Sequence, residues 1–202
     1  MSLFSRFKKD KKKEPFITVV SGLPRSGTSM MMQILQAGGL PVLTDAVRSA
    51  DHDNPKGYYE FERVKKLKEG DIAWLPEAQG KVVKVVSPLL EHLPASYRYK
   101  VVFMQREMAE ILASQKQMLT NLGEPTNRVS DKDLTDFFRQ HLSKVQTWLA
   151  GQKNIEVLYI QYSGLLSDPE GAIQALLQFL DLPLQMDAMR AVPDQKLHRQ
   201  RK

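Results

Sequence analysis

Gly22-Leu23-Pro24-Arg25-Ser26-Gly27-Thr28-Ser29 is the stretch on which the fold turns. Its two glycines and final hydroxyl match the phosphate-binding pattern G-x-x-x-x-G-K-S/T at every fixed position except one. The lysine position holds Thr28, and the cation stands three residues earlier, as Arg25. Before the loop, Phe16-Ile17-Thr18-Val19-Val20 is apolar and β-branched. After it, Thr28 to Ala37 carries Met31, Ile34 and Leu35 at helical spacing. Strand, glycine turn and helix N-terminus in that order predict an anion cradle, because unpaired amide N–H groups and the helix dipole converge on one point. The loop therefore suits a phosphate-like group but lacks the lysine that reaches β- and γ-phosphates. The bland alternative is a glycine turn that binds nothing.

Outward from the loop, apolar strand candidates recur at 16–20, 82–86, 100–104 and 155–160, separated by helical pattern. That alternation predicts a single α/β domain, a central parallel sheet flanked by helices. The spacing of Leu134, Phe137, Phe138, Leu142, Val145, Trp148 and Leu149 predicts an amphipathic helix from Asp131 to Gly151, begun by Ser130 or Asp131. Asp168-Pro169-Glu170 reads as another helix start, with proline in its first turn. Met30, Met31 and Met32 read as packing residues of the first helix. Residues 41–80 show no packing period, and turn-rich, aromatic 51–60 reads as a loop of the kind that carries function.

Charge divides the chain further. The net charge is +6, with +4 in residues 1–14 and +4 in residues 190–202, which leaves the body between them at −2. A mildly acidic body with basic ends lacks the basic face of a nucleic-acid binder. We therefore divide the chain into a basic, disordered N-terminal tail over 1–14 and one domain over 15–202. Weak contact of the tail with anionic lipid, through Leu3, Phe4 and Phe7, is its alternative reading. There are no cysteines, which excludes disulfides and thiolate metal sites. No apolar run approaches the roughly 20 residues of a membrane span, and no secretory signal is evident, so a cytoplasmic protein is the expectation.

The variant loop resembles the 5′-phosphosulfate loop of sulfotransferases that use 3′-phosphoadenosine 5′-phosphosulfate (PAPS). The resemblance implies a P-loop-like fold, PAPS as cosubstrate, no metal, and an acceptor hydroxyl on a small molecule, sugar, lipid or peptide. It implies that Arg25, Ser26, Gly27, Thr28 and Ser29 hold the phosphosulfate. Chemically this fits: one phosphate joined to one sulfuryl group can be held by amides, hydroxyls and a planar guanidinium. The family also places an arginine at the end of a central strand and a serine eight residues later on the 3′-phosphate. Val101-Val102-Phe103-Met104-Gln105-Arg106 and then Ser114 are similar in spacing. Eight helical residues rise about 12 Å, so this pairing requires the helix to begin nearer Met108 or Ala109. Tyr159-Ile160-Gln161-Tyr162 partly resembles the family's strand-to-helix element, which would put Tyr162 near adenosine.

Besides Arg25, which the resemblance makes catalytic as well as phosphosulfate-binding, two catalytic assignments follow. Lys84 matches the lysine of the K-T-H-x-P element of cytosolic sulfotransferases, where it would place positive charge on the leaving oxygen. No histidine follows at the expected distance, and His92 stands too late. Tyrosylprotein and carbohydrate sulfotransferases instead use a glutamate after the first helix. Glu60 occupies the comparable region beside two aromatics, with Glu62 second and a non-catalytic helix-start carboxylate as the alternative. Lys196, His198, Arg199 and Arg201 read as a basic end, with Arg199 or Arg201 as a distant 3′-phosphate contact the alternative. The rival readings are a P-loop kinase or triphosphatase and a catalytically silent nucleotide-binding module.

Overall fold

β1 (Ile17–Gly22) is buried along its whole length, as befits a strand with neighbours on both edges and helices on both faces. In this computed structural model residues 14–45 and 57–193 are described. Outside them lie the basic tail, most of the turn-rich loop, and the basic residues from Lys196 onward. The chain continues as α1 (Thr28–Ala37), α2 (Glu62–Lys65), α3 (Leu75–Ala78), β2 (Val82–Lys84), a 3-10 turn over Ser87–His92, and β3 (Tyr99–Gln105). Then follow α4 (Met108–Asn121), α5 (Asp131–Ala150), β4 (Ile155–Gln161), α6 (Tyr162–Ser167), α7 (Pro169–Leu180) and α8 (Met186–Arg190).

All four strands are parallel, in the order β2-β1-β3-β4. Val19 lies opposite both Val83 and Val101, and Val20 lies opposite Lys84 and Val102. Because side chains alternate across a strand, this register sends the apolar residues into two layers. Val20, Val102, Met104 and Ile160 pack with α1, α6, α7 and α8. Val19, Val83, Val101 and Phe103 pack on the other face with Trp74, Leu75 and Leu149 of α5. The three methionines of α1 are all buried in the first layer, in line with their reading as packing residues.

Several predicted boundaries hold. α5 starts after Ser130, whose hydroxyl accepts from the Asp133 amide. α7 starts after Asp168, whose carboxylate accepts from the Gly171 amide. β2 is shorter than the expected 82–86: after the Val85 amide bonds the Val20 carbonyl, the chain leaves the edge for the Ser87-Pro88 turn. Proline lacks an N–H and is tolerated at such a helical start, not in a continuing ladder. Residues 57–80 are better packed than their sequence suggests. Val64, Leu67, Trp74, Leu75 and Ala78 are buried against the sheet through one-turn helices too short to show a period. No described helix is long and apolar enough to cross a membrane.

The order places a topological switch between β1 and β3. From β1 the chain crosses to β2 on one side, then returns past β1 to β3 on the other. In open parallel sheets the crevice beyond the carboxyl ends of two such strands is where ligands sit. Here the loop ends β1 and Arg106 ends β3, so both border that crevice.

Two glycines fix the loop. Gly22 has φ +147°, and a Cβ there would lie 2.5 Å from Ser26 Oγ and 2.7 Å from the Met104 carbonyl oxygen. Gly27 has φ +99°, and its Cβ would lie 2.5 Å from Cδ2 of Tyr162. Gly22→Ala should therefore lower stability by about 1–3 kcal/mol, roughly 2–12 °C in Tm, measured by thermal unfolding. An unchanged Tm would mean that the loop backbone takes another course.

Candidate active site

The loop backbone turns at Arg25, which has φ +69°, a left-handed conformation that a side-chain-bearing residue rarely adopts. Its carbonyl oxygen accepts a 3.0 Å hydrogen bond from Nη1 of Arg106. Its own Nε donates to Ser114 Oγ at 2.9 Å. The structure thus joins the loop with the Arg106 and Ser114 pair, two sites that sequence separates by some 80 residues. Ser114 does not meet Arg106 directly; Arg25 bridges them. α4 begins at Met108, within the range that the spacing requires.

Arg106 is held from several directions. Its Nε donates to Glu110 Oε2 at 2.8 Å, with the two side chains 8% and 14% exposed. Its guanidinium carbon lies 4.2 Å from the centre of the Tyr162 ring, a cation–π contact. Tyr162 is 5% exposed at the start of α6, wedged between Arg106 and Gly27. Burial pushes its phenol pKa up, against the pull of Arg106. Glu110 was not singled out from sequence, although an acid four residues after an arginine at a helix start is a readable pair.

α1 starts at Thr28 with Gly27 as an N-cap that has no side chain, so no side-chain bond caps its first amides. Ser26 is 1% exposed, and its Oγ is buried without a hydrogen-bond partner, as is Ser21 Oγ at the end of β1.

Lys84, the last residue of β2, reaches this loop. Its Nζ lies 3.3 Å from Ser29 Oγ and 2.9 Å from the Tyr58 carbonyl oxygen. It is therefore not simply an exposed edge-strand lysine. The Tyr58 contact also brings the Glu60 segment alongside the end of β2. There Tyr59 takes φ +55° and donates its hydroxyl to Gln36 of α1, and the Glu60 carbonyl accepts from Thr44. The Glu60 carboxylate lies 3.2 Å from Lys65 Nζ, an ion pair that sequence reading did not foresee. Glu62 is the first residue of α2 and pairs with the same lysine at 2.6 Å. The role of a helix-start carboxylate thus falls to Glu62 and not to Glu60.

A second polar pair lies beyond β2. Ser87 Oγ and His141 Nε2 are 2.8 Å apart, bringing the 3-10 turn to the middle of α5. Burial holds the His141 pKa below its ordinary value, with nearby Lys144 acting in the same direction and Glu91 against it. Sequence carries no sign of this contact between residues 54 apart. Among the described residues no three histidine or acidic side chains cluster as metal ligands.

The family model described as the sulfotransferase domain matches residues 17–198. Among solved structures, the chain resembles the sulfotransferase domain from the curacin biosynthetic pathway, at 15% identity and TM-score 0.50, over 86% of this chain and 76% of that one. It resembles mouse sulfotransferase SULT7A1 complexed with PAP, at 14% identity and TM-score 0.54, over 88% of this chain and 64% of that one. It resembles sulfotransferase STF9 from Mycobacterium avium, at 13% identity and TM-score 0.52, over 87% and 67%. At these identities the likeness to solved structures is one of fold. No curated protein sequence matches. The family match spans nearly the whole described domain, the variant loop included: the chain belongs to the sulfotransferase domain family.

Proposed function

We propose that this chain transfers a sulfuryl group from PAPS to an acceptor hydroxyl. The observation that carries the reading is the bridge from Arg106 through Arg25 to Ser114, which gathers two guanidinium groups and a serine beside an uncapped helix start. The first amides of α1, which no side chain caps, support an anionic group there, and the mouse neighbour of the same fold was solved with PAP.

In this reading, Arg25 and the loop residues Ser26, Gly27, Thr28 and Ser29 hold the 5′-phosphosulfate. Arg106 and Ser114 hold the 3′-phosphate, and Tyr162 contributes by fixing Arg106 and Gly27. PAPS supplies an electrophilic sulfur on a stable phosphate leaving group. Lys84, already on Ser29, places positive charge where the leaving oxygen becomes anionic. Glu60 takes the acceptor proton, with Lys65 setting the direction of its carboxylate. Fixed donors meet the developing charge, so no metal is needed. Cytoplasmic placement and a sugar, lipid, peptide or small-molecule acceptor belong to the same proposal. A kinase reading is weaker, because Thr28 stands where the phosphate-reaching lysine would be.

Two substitutions test the assignment. Arg106→Ala should weaken adenosine 3′,5′-bisphosphate by about 10- to 150-fold while affecting adenosine 5′-monophosphate far less. Because Arg106 also supports the loop, Tm is recorded beside affinity, and equal loss for both ligands would make its role structural. Glu60→Gln should retain nucleotide affinity and lose about 100- to 10,000-fold in turnover, measured as consumption of labelled PAPS. Glu62→Gln should keep most activity; a collapse there with full activity in Glu60→Gln would move the base by two residues.

A further inference from the structure

We propose that Glu110 is a specificity-determining residue: its carboxylate neutralises Arg106 before nucleotide binds and then competes with the 3′-phosphate for that guanidinium. The role rests on the proposed function, in which Arg106 takes the 3′-phosphate. Glu110 lies in the first turn of α4, four residues after Arg106, and its Oε2 accepts from Arg106 Nε at 2.8 Å. A second N–H, on Nη1, is directed to the Arg25 carbonyl oxygen at 3.0 Å, and the Tyr162 ring covers one face of the guanidinium. Oxyanions take a guanidinium best through two parallel N–H bonds along one edge. On the Nε edge a phosphate has to displace Glu110. On the other it has to share the cation with Glu110 and the Arg25 carbonyl.

Burial gives that conflict its size. The two side chains are 8% and 14% exposed, so salt screens them little. Without a partner, a buried guanidinium would be left as an uncompensated charge, which is what Glu110 prevents. The phosphate that arrives is a second anion at a cation already neutralised, and like charges at one site oppose each other. Glu110 therefore weakens the one contact that distinguishes adenosine 3′,5′-bisphosphate from adenosine 5′-monophosphate. PAPS and the product it leaves carry the same 3′-phosphate, so an arginine at full strength would also hold the product, and product release limits many enzymes. A purely supporting ion pair has the opposite sign: loosening Arg106 would then weaken nucleotide binding.

The test titrates adenosine 3′,5′-bisphosphate and adenosine 5′-monophosphate into the full chain by calorimetry, with Tm recorded for each protein. Glu110→Gln keeps an oxygen for Arg106 Nε and removes the charge. It should bind adenosine 3′,5′-bisphosphate about 10- to 100-fold more tightly, the effect of lifting one close like-charge repulsion, with adenosine 5′-monophosphate unchanged. Its Tm without nucleotide should fall, and adenosine 3′,5′-bisphosphate should raise that Tm by more than in the parent chain. Glu110→Asp, a smaller change for the fold to absorb, draws the carboxylate back by one methylene and should tighten the same ligand by less. Unchanged or weaker binding of adenosine 3′,5′-bisphosphate in Glu110→Gln, or in Glu110→Asp should the glutamine variant not fold, would overturn the proposal. Equal loss of both ligands in Arg106→Ala would remove the 3′-phosphate reading itself, and this role with it. Selective loss there with no gain in Glu110→Gln would overturn only the role of Glu110.

Discussion

The Arg106 guanidinium is the knot that the rest of the site hangs from. It leaves the end of β3, pairs with Glu110 in the first turn of α4, donates to the carbonyl of Arg25, and lies on the ring of Tyr162. Tyr162 in turn meets Gly27, so one side chain links the β1 loop, β3, α4 and α6. A hydrogen bond to a charged group is worth about 1.5–3 kcal/mol, enough to offset the roughly 1–3 kcal/mol of holding Arg25 in a left-handed conformation. The guanidinium and carboxylate are nearly buried, so removing either would leave an uncompensated charge at a cost of about 3–5 kcal/mol. Phosphate-binding loops normally gain their cation from a lysine within the loop. Here the cations come from its middle, Arg25, and from the neighbouring strands, Arg106 and Lys84.

That arrangement follows from sheet order. Because β1 lies between β2 and β3, the residues ending those two strands flank the loop from opposite sides. Lys84 arrives from one side on Ser29, and Arg106 from the other on Arg25. The switch point therefore supplies what the loop sequence lacks.

Much of this was legible in the chain itself, and the reason is locality. The loop, its glycines, and the helix and strand beside it are all written within some 20 consecutive residues. The turn after Arg106 follows from the family resemblance, which pairs Arg106 with Ser114 and so asks the helix to begin nearer Met108, where α4 does begin. What was not legible is contact between distant segments. The Ser87–His141 pair joins a turn to the middle of a helix, and its residues look ordinary in their own surroundings. The Arg25 bridge to Ser114 is similar: each residue suggested an anion site, but nothing local showed that they touch. Lys65 on Glu60 was missed because residues 57–80 fold by packing one-turn helices onto the sheet, which leaves no period to read.

The central claim is that this loop, with Thr28 at the usual lysine position and Arg25 as its cation, is made for a phosphosulfate nucleotide and not for a triphosphate. Calorimetric titration of the full chain with adenosine 3′,5′-bisphosphate and with ATP, each with and without magnesium, tests it most directly. The account predicts much tighter binding of adenosine 3′,5′-bisphosphate than of ATP, and little change on adding magnesium. Tight, magnesium-dependent binding of ATP would contradict it.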